Sequence, residues 1–427
     1  MKQVNKKLVI IGLGYVGLPL ALLAANRGYD VVGIDIDKEK VKSIKSRKSP
    51  FADSAIDRML KTTKMDVSTD VSRVKDADII VICVPTPVYE NRLPNYEPVE
   101  GACRSVGEYL KKGQLVILES TVNPGVCEEL VIPVLEVYSG LSVGEFSIAH
   151  CPERINPGDK KWNVSNIPRV VGGYDKESLD KAVDFYKSII SAEIRPMKTL
   201  KEAEAVKVVE NSFRNINIAF VNELAIAFDK LGIDVVNVID GAATKPFSFM
   251  AHYPGCGIGG HCIPVDPYYL IDYSERTSGF SHTFLKLACQ INEEMPKNTV
   301  DFADMGLNTF GKSLNDSKVA VLGLSYKADI DDCRESPSYA IISDLEDRGA
   351  KVVVYDPHVK SLAQFESLRD ALDGVDAVIL ATSHKEFGGL KSDDFSGTNV
   401  RVVIDGRNCL NKEDFDGSGI YYKGIGR

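Results

Sequence analysis

Residues 7 to 37 read KLVIIGLGYVGLPLALLAANRGYDVVGIDID, and this stretch decides the fold of the amino-terminal half. A β-branched strand leads into a glycine-rich turn, an apolar helix follows, and a second strand ends at Asp35. Gly12 permits the tight turn, Gly14 lets a pyrophosphate approach the backbone, and Gly17 allows the helix to pack closely. The helix N-terminus favours phosphate charge. The pattern therefore predicts a dinucleotide-binding βαβ unit.

Asp35 bears on which dinucleotide is bound. A carboxylate at the end of the second strand accepts hydrogen bonds from ribose hydroxyls. The same negative charge repels the additional phosphate of NADP. The predicted cofactor is therefore NAD.

The carboxy-terminal part partly repeats this pattern. KVAVLGLSY, starting at Lys318, repeats KLVIIGLGY; VVVYDPH repeats VVGIDID; and DAVILATSH repeats ADIIVICVPTP. Strands that alternate with helical segments predict an α/β domain in each half. Residues SYK at 325–327 replace the glycine pattern after Gly323. We therefore expect this half to hold a phosphorylated ligand other than a dinucleotide, with Lys327 as its charge partner; an ordinary surface lysine is the alternative.

The region from about 200 to 300 has helical periodicity and an unusual polar side. At about 100° per residue, one arc of about 80° contains Lys207, Asn211, Asn215 and Asn222. The opposite side is apolar and contains Val209, Phe213, Ile216 and Phe220. Because amides predominate on the polar side, we expect a partly buried polar wall. Lys207 and Asn211, at i and i+4, can together stabilise an alkoxide; a hydrogen-bonded packing face is the alternative.

Residues 257–268, GIGGHCIPVDPY, form a loop that places Cys262 after two glycines and four residues before Asp266. Glycines let a ligand approach the backbone, and His261 lies beside the sulfur, where a donor or cation favours a thiolate. Next to NAD, such a thiol suggests oxidation through a covalent hemiacetal. A buried small apolar cysteine is the alternative. Since no second pair of ligands accompanies Cys256, we expect no metal.

Two further loops follow predicted strands. ESTVNPG places Thr121 at the carboxyl end of a strand, where open α/β sheets bind ligands. CPERINPGD places Glu153 and Arg154 at the next such position. Glu153 can activate a water and Arg154 can hold an anionic substrate, although both are also ordinary turn residues.

Composition excludes several classes of protein. The 427 residues are 44% apolar, long enough for two or three domains. A net charge of −9 gives no sign of nucleic-acid binding. No apolar run reaches the ~20 residues of a membrane span, and MKQVNKK leads directly into a strand, so we expect a cytoplasmic protein. Nine scattered cysteines indicate reduced thiols.

Taken together, the motifs resemble one family. GLGYVGLP, VPTP, ESTVNPG, CPERINPG, EAVKVVEN, GIGGHCIPVDP and GLSYKADIDDCRESP occur in this order over nearly the whole chain, as in the nucleotide-sugar 6-dehydrogenases, the family of UDP-glucose and GDP-mannose dehydrogenases. The resemblance implies two Rossmann-like doubly wound α/β domains, 1–198 for NAD and 306–427 for the UDP-sugar. A long central helical region, 199–305, joins them and implies a homodimer or higher homo-oligomer.

The resemblance also implies oxidation of a sugar C6 alcohol to a carboxylate with two NAD, through a thiohemiacetal and thioester on Cys262. The implied catalytic residues are Cys262, Lys207, Asn211, Asp266, Thr121 and Glu153. The implied cofactor contacts are Gly12, Gly14, Tyr15, Val16, Gly17, Asp35, Thr86, Thr121 and Arg334. The implied substrate contacts are Arg154, Ile155, Lys207, Asn211, Arg214, Tyr326 and Lys327.

Departures from the glucose pattern narrow the implied substrate. Glucose-specific members carry a glutamate where this chain has Pro157, and a small residue where it has His261. These features, with Arg154 and Arg214, resemble the branch that oxidises UDP-N-acetylhexosamines. TKPFSFMAHYPG is closer to glucosamine oxidisers, INPGDKK is shared more widely, and mannosamine is slightly favoured.

Several activities remain as alternatives. Besides UDP-N-acetyl-D-glucosamine and UDP-glucose oxidation, a two-electron 3-hydroxyacid dehydrogenase shares the Rossmann domain and a helical Lys/Asn pair, and an NAD sensor shares the cofactor site. The hydroxyacid enzyme has no use for Cys262, and a sensor has no need of the catalytic loops. The expected pathway is cell-surface polysaccharide or glycan synthesis.

Overall fold

The computed structural model describes residues 6–51, 54–89, 91–154 and 161–427. These residues form two compact units. The first comprises Met1–Glu210 and Tyr268–Phe280, and the second comprises Asn211–Pro267 and Ser281–Arg427. The α/β class predicted from the sequence is confirmed, whereas the three-part division at 198 and 305 stays a prediction.

The first unit is built on an eight-stranded sheet with the order β3-β2-β1-β4-β5-β6-β7-β8. Its strands are β1 (Lys7–Ile11), β2 (Asp30–Ile34), β3 (Asp66–Ser68), β4 (Ile79–Ile82), β5 (Leu115–Leu118), β6 (Ser147–His150), β7 (Arg169–Gly173) and β8 (Ile194–Pro196). Its helices are α1 (Gly17–Asn26), α2 (Lys38–Lys45), α3 (Ser54–Thr62), α4 (Glu97–Gly107), α5 (Ile132–Ser139) and α6 (Lys176–Ile189). All neighbouring strands are parallel except β6 and β7.

The central strands are apolar throughout because helices cover both faces of the sheet. In β1, Leu8 and Ile10 pack in one core while Val9 and Ile11 pack in the other. Since the strands from β1 to β6 are parallel, their carboxyl ends lie at one edge. The loops that carry the predicted site residues of this unit begin at that edge.

The second unit contains a five-stranded parallel sheet with the order β10-β9-β11-β12-β13. The strands are β9 (Lys318–Leu322), β10 (Lys351–Tyr355), β11 (Ala377–Leu380), β12 (Val402–Asp405) and β13 (Tyr421–Gly424). Its helices are α8 (Val235–Ala243), α10 (Thr283–Asn308), α11 (Pro337–Asp347) and α12 (Leu368–Ala371). Helices α7 (Leu200–Leu231) and α9 (Asp266–Ser278) each run through a boundary between the units.

The repeat seen in the sequence has a structural counterpart. Gly12 and Gly323 both have positive φ, 90° and 98°. The Gly12 N–H donates to the Ile34 carbonyl and the Gly323 N–H to the Tyr355 carbonyl, both at 2.8 Å. The two sheets therefore begin with the same turn.

Helix α7 buries its polar side. Asn211, Asn215 and Asn222 are 5%, 1% and 0% exposed, in agreement with the expected polar wall. On the apolar side, by contrast, Phe213 and Phe220 are 47% and 52% exposed in the single chain. The usual amphipathic pattern is thus inverted.

Two expectations from composition can be compared with the structure. No disulfide joins any of the nine cysteines, all of which lie in the described ranges. Among the described ranges, no helix combines the length and apolar character needed to cross a membrane.

Candidate active site

The cysteine loop lies between α8 and α9 in the second unit. The Cys262 carbonyl accepts the N–H groups of Val265 and Asp266 at 3.1 and 2.8 Å, so the turn after the cysteine leads directly into α9. Cys262 itself is half-buried. A Cβ at Gly260 would lie 2.8 Å from the ring of Tyr326, and Gly260 has a φ of 85°. Glycine is therefore required where the predicted substrate residue Tyr326 packs on the loop.

The buried amides of α7 hold this loop in place. Asn211 Nδ2 donates to Asp266 Oδ2 at 2.5 Å, and Asp266 is 2% exposed. One turn further along α7, Asn215 Nδ2 donates to the Ile263 carbonyl at 3.1 Å. Two amide hydrogen bonds thus hold the segment that follows the cysteine, one through the Ile263 carbonyl and one through the Asp266 side chain. These amides therefore form hydrogen bonds within the protein, as the alternative interpretation of the polar side as a packing face expects.

Lys207 and Asn211 lie one turn apart on α7, and Lys207 is half-buried. An amide nitrogen has two N–H donors, and Asp266 accepts one from Asn211. The oxyanion role of this pair stays a prediction. Arg214, which is on the same helix, is exposed.

The glycine turn of the first unit fits a dinucleotide. A Cβ at Gly12 would lie 2.6 Å from the Cys83 carbonyl oxygen, and one at Gly17 would overlap the Gly12 carbonyl oxygen. Apart from the residues adjacent to Gly14, no described residue has an atom within 4 Å of the position that a Cβ would take there. The turn is therefore tightly packed on its inner side, while Gly14 faces the open space that a pyrophosphate needs.

Asp35 is already engaged in this turn. Its buried carboxylate accepts the Leu13 N–H at 2.8 Å, the Asp37 N–H at 2.9 Å and Lys40 Nζ at 2.8 Å. Asp35 thus braces the glycine turn as well as lying where a ribose acceptor is expected. Sequence reasoning missed Lys40, although its place in the first turn of α2, five residues after Asp35, is a usable signal.

The other predicted cofactor residues of the first unit lie in or near the same sheet edge. Tyr15 stacks on Phe51 with ring centroids 4.3 Å apart, and Val16 immediately precedes α1. The Thr86 carbonyl accepts a hydrogen bond from Tyr269 Oη. Thr121 is half-buried in the loop after β5.

Arg154 is held by a partner that the sequence did not reveal. Its Nη2 and Nε donate to Glu210 Oε1 and Oε2 at 2.5 and 3.3 Å, and its Nη1 donates to the Pro168 carbonyl at 2.9 Å. The predicted substrate arginine therefore has a carboxylate partner on α7. Ile155 and Pro157 lie outside the described residues.

Glu153 belongs to a buried charge cluster. Its Oε2 accepts Arg169 Nη1 at 2.8 Å, and its Oε1 accepts the Arg154 N–H at 2.6 Å. A second carboxylate, Glu119, accepts Tyr186 Oη at 2.5 Å and is 1% exposed. Burial raises the pKa of Glu119 to about 7, although the charge of Arg169 opposes this rise.

In the second unit, buried side chains bond to the turn that corresponds to the dinucleotide turn. Asp356 accepts the Leu324 N–H at 2.6 Å, as Asp35 accepts that of Leu13. His384, fully buried, lies 3.1 Å from Asp356 through Nε2 and accepts the Asp329 N–H through Nδ1. The expectation that the second half does not bind a dinucleotide stays a prediction.

Two further predicted ligand residues belong to the second unit. Lys327 is half-buried, and its carbonyl accepts Ser325 Oγ at 2.8 Å. Arg334 is 51% exposed and pairs with Asp332 at 2.6 Å.

One group of possible metal ligands lies in this region of the second unit. Ligand atoms of Asp329, His358, His384 and Glu386 lie within 4.8 Å of one another. Both ring nitrogens of His384 are already engaged by protein groups. The expectation that the enzyme uses no metal stays a prediction.

Three models of one family match the chain. The NAD binding domain of the UDP-glucose/GDP-mannose dehydrogenase family matches residues 6–190, its central domain 201–294, and its UDP binding domain 320–412. A UDP-N-acetyl-D-mannosamine dehydrogenase from Pyrococcus horikoshii is 35% identical over 99% of both chains. A solved structure of the enzyme so named from that organism matches with a TM-score of 0.92, also over 99% of both chains. A UDP-N-acetyl-D-glucosamine 6-dehydrogenase from Pseudomonas aeruginosa is 33% identical over 96% of this chain and 98% of its own.

Replacing Asp35 with alanine should weaken NAD binding by roughly 1–3 kcal/mol and relax the discrimination against NADP, since charge-assisted hydrogen bonds to ribose are lost. Titration calorimetry with both cofactors measures the change. Asp37→Ala is the matched control, because Asp37 caps α2 through the N–H groups of Glu39 and Lys40. An unchanged ratio of NAD to NADP affinity in Asp35→Ala would show that Asp35 does not face the ribose.

Replacing Glu119 with glutamine should flatten the pH dependence of stability. The raised pKa of Glu119, about 7 against an ordinary 4.5, favours the folded state fully below pH 4.5, and this contribution is lost as the pH rises through 7. A neutral amide avoids that loss, so the variant should exceed the wild type by up to about 3 kcal/mol at pH 8 and by little at pH 5. Urea unfolding at both pH values provides the comparison, and a constant difference would contradict the raised pKa.

Proposed function

The chain belongs to the UDP-glucose/GDP-mannose dehydrogenase family, and from this premise we propose that it oxidises the C6 hydroxyl of a UDP-N-acetylhexosamine to a carboxylate. It is an NAD-dependent UDP-sugar dehydrogenase. Because the chain is similar over its full length to a UDP-N-acetyl-D-mannosamine dehydrogenase, we propose UDP-N-acetyl-D-mannosamine as the substrate. UDP-N-acetyl-D-glucosamine is the second candidate, because a relative acting on that sugar is nearly as similar.

The cofactor would be held by the glycine turn and Asp35. NAD would supply the hydride acceptor for each of the two successive oxidations, with one NAD molecule used in each. Lys207, or a water held by Thr121, takes the proton from the C6 hydroxyl in the first oxidation, so that an aldehyde results. Arg154, Tyr326 and Lys327 are assigned to the nucleotide sugar.

Cys262 captures the aldehyde before it leaves the enzyme. The thiolate adds to the aldehyde carbon, and Lys207 and Asn211 stabilise the resulting oxyanion. Loss of the second hydride converts this thiohemiacetal into a thioester. A water activated by Glu153 or Asp266 then releases the carboxylate and restores the thiol. The two hydrogen bonds from α7 to the cysteine loop support this role, since a nucleophile must be held in position.

We also assign a homodimer to the enzyme. The exposed apolar side chains on α7, among them Val209, Phe213 and Phe220, support this assignment. Contiguous exposed apolar surface of this kind marks a protein interface. A second copy that covers α7 would bury these side chains.

The purified enzyme should form two NADH for each UDP-N-acetylhexosamine consumed, because the chain carries both a hydride-acceptor site and a trapping thiol. Absorbance counts the NADH and mass spectrometry identifies the uronic acid. UDP-N-acetyl-D-mannosamine, UDP-N-acetyl-D-glucosamine and UDP-glucose are compared in parallel, and the first is expected to give the highest kcat/KM. A ratio of one, with an aldehyde or ketone as product, would indicate a two-electron dehydrogenase.

Cys262→Ser should still bind NAD and the UDP-sugar but should fail to complete turnover, since an alkoxide leaves an acyl intermediate less readily than a thiolate. A stalled ester or slow release of aldehyde is expected. Cys409→Ser is the matched control, because the half-buried Cys409 thiol contacts Asp405, outside the cysteine loop. Wild-type formation of uronic acid by Cys262→Ser would make the thiol a bystander.

A further inference from the structure

Arg169, at the start of β7, carries a charge in the interior of the first unit. Its side chain is 0% exposed, and its Nη1 donates to Glu153 at 2.8 Å. Its Nε and Nη2 atoms have no hydrogen-bond partner within the part of the chain that the structure describes. Taking a charge out of water costs several kcal/mol, so a fully buried guanidinium requires an explanation.

Two carboxylates interact electrostatically with this guanidinium. Glu153 interacts with it most strongly and Glu119 next. Glu119 directly follows β5, and Glu153 lies three residues beyond β6. One buried cation therefore faces two acids from neighbouring strand ends.

The cluster is attached to both loops that carry predicted site residues. Glu119 precedes Ser120 and Thr121, and Ser120 Oγ donates to the Val84 carbonyl at 2.7 Å. Glu153 Oε1 accepts the N–H of Arg154 at 2.6 Å. A purely stabilising ion pair is the simpler explanation, but buried ion pairs contribute little stability compared with apolar side chains of similar volume.

We propose that Arg169 is a positioning residue of the dehydrogenase, whose buried guanidinium holds the Glu153 carboxylate in place through a charged hydrogen bond while also interacting with Glu119. The inference rests on the proposed function, in which Glu153 activates a water. Arg169 acts through Glu153 and touches neither substrate nor cofactor in this role. Glu119 competes with Glu153 for the same cation.

Several charged or titratable groups pack around Glu153 and Arg169. Arg169 on β7 opposes the effect of burial on Glu119 after β5, whose pKa is raised to about 7, so Glu119 is neutral in acidic solution. Cys83 after β4, Cys151 after β6 and Tyr186 on α6 belong to the same buried set, and burial raises the pKa of each of them, so they remain neutral near pH 7. Within this set, Arg169 is therefore the group whose removal changes the charge beside Glu153 below pH 7.

The two removals should differ in their effect on the pH dependence of activity. Arg169→Met removes the cation beside Glu153, so the acidic limb of kcat/KM should move to higher pH and activity at pH 7 should fall at least tenfold, with recovery toward pH 9. Glu119→Gln should leave this limb in place, because the Glu119 carboxyl is already neutral in acidic solution. Arg169→Lys retains a cation but lacks the planar set of guanidinium donors. The pH of its acidic limb should therefore lie between those of Arg169→Met and the wild type.

The profiles are measured as NADH formation by the full-length enzyme with UDP-N-acetyl-D-mannosamine and NAD. Arg195→Met is the matched control, since Arg195 is an exposed arginine on the neighbouring strand β8 and should leave the profile unchanged. If Arg169→Met does not fold, Arg169→Lys and Glu119→Gln provide the comparison, with the limb moved to higher pH in the first variant and unmoved in the second. Equal losses at all pH values, with the limb in place, would reduce Arg169 to a structural role and overturn the inference.

A double-mutant cycle separates this inference from the proposed function. If Arg169 acts through Glu153, adding Arg169→Lys to Glu153→Gln should cause no further loss of kcat/KM. Additive losses would contradict the inference. Wild-type activity of Glu153→Gln alone would instead remove Glu153 from the proposed mechanism. If kcat/KM falls in Glu153→Gln but the pH profiles of the Arg169 variants do not move, only the inference about Arg169 is contradicted, and the proposed function stands.

Discussion

The hydrogen bond from Asn211 to Asp266 is the constraint on which the cysteine loop depends. It joins the long helix α7 to the first residue of α9, and the Asp266 N–H in turn binds the Cys262 carbonyl. Because Asp266 is almost completely buried, its carboxylate cannot exchange Asn211 for water without a substantial cost. The loop glycines extend the same constraint, since Tyr326 packs where a side chain at position 260 would otherwise lie. A thiol at position 262 is therefore presented from a fixed backbone, which is what a nucleophile requires.

The two sheets show how one turn is used in two ways. Both begin with a glycine of positive φ, and both place an aspartate after the second strand so that it accepts a backbone N–H of the turn. In the first unit the space beside Gly14 is open, whereas in the second unit the buried His384 contacts the corresponding aspartate, Asp356. The same turn therefore faces open space in one copy and contacts a buried aspartate and histidine in the other.

The sequence predicted most of the fold because the relevant signals are local. Glycine spacing, apolar strands and the terminal aspartate identified the first βαβ unit, and the repeat identified the second. The predominance of amides on one side of α7 predicted that these amides are buried, as they are. The partners Arg169, Glu119 and Glu210 were not predicted, since ion pairs between distant segments leave no periodic signal. Arg169 begins an ordinary apolar strand, and only the packing of β7 against β6 brings it to Glu153.

Covalent capture by Cys262 is tested most directly by quenching the wild-type enzyme with acid during steady-state oxidation and analysing its peptides by mass spectrometry. The peptide that contains Cys262 should carry the mass of the UDP-linked uronyl group, and hydroxylamine should remove it, as expected of a thioester. The peptides of the other cysteines should stay unmodified. NADH formation at the full rate, with no acyl group detectable on Cys262 under conditions that preserve a synthetic thioester, would contradict the mechanism.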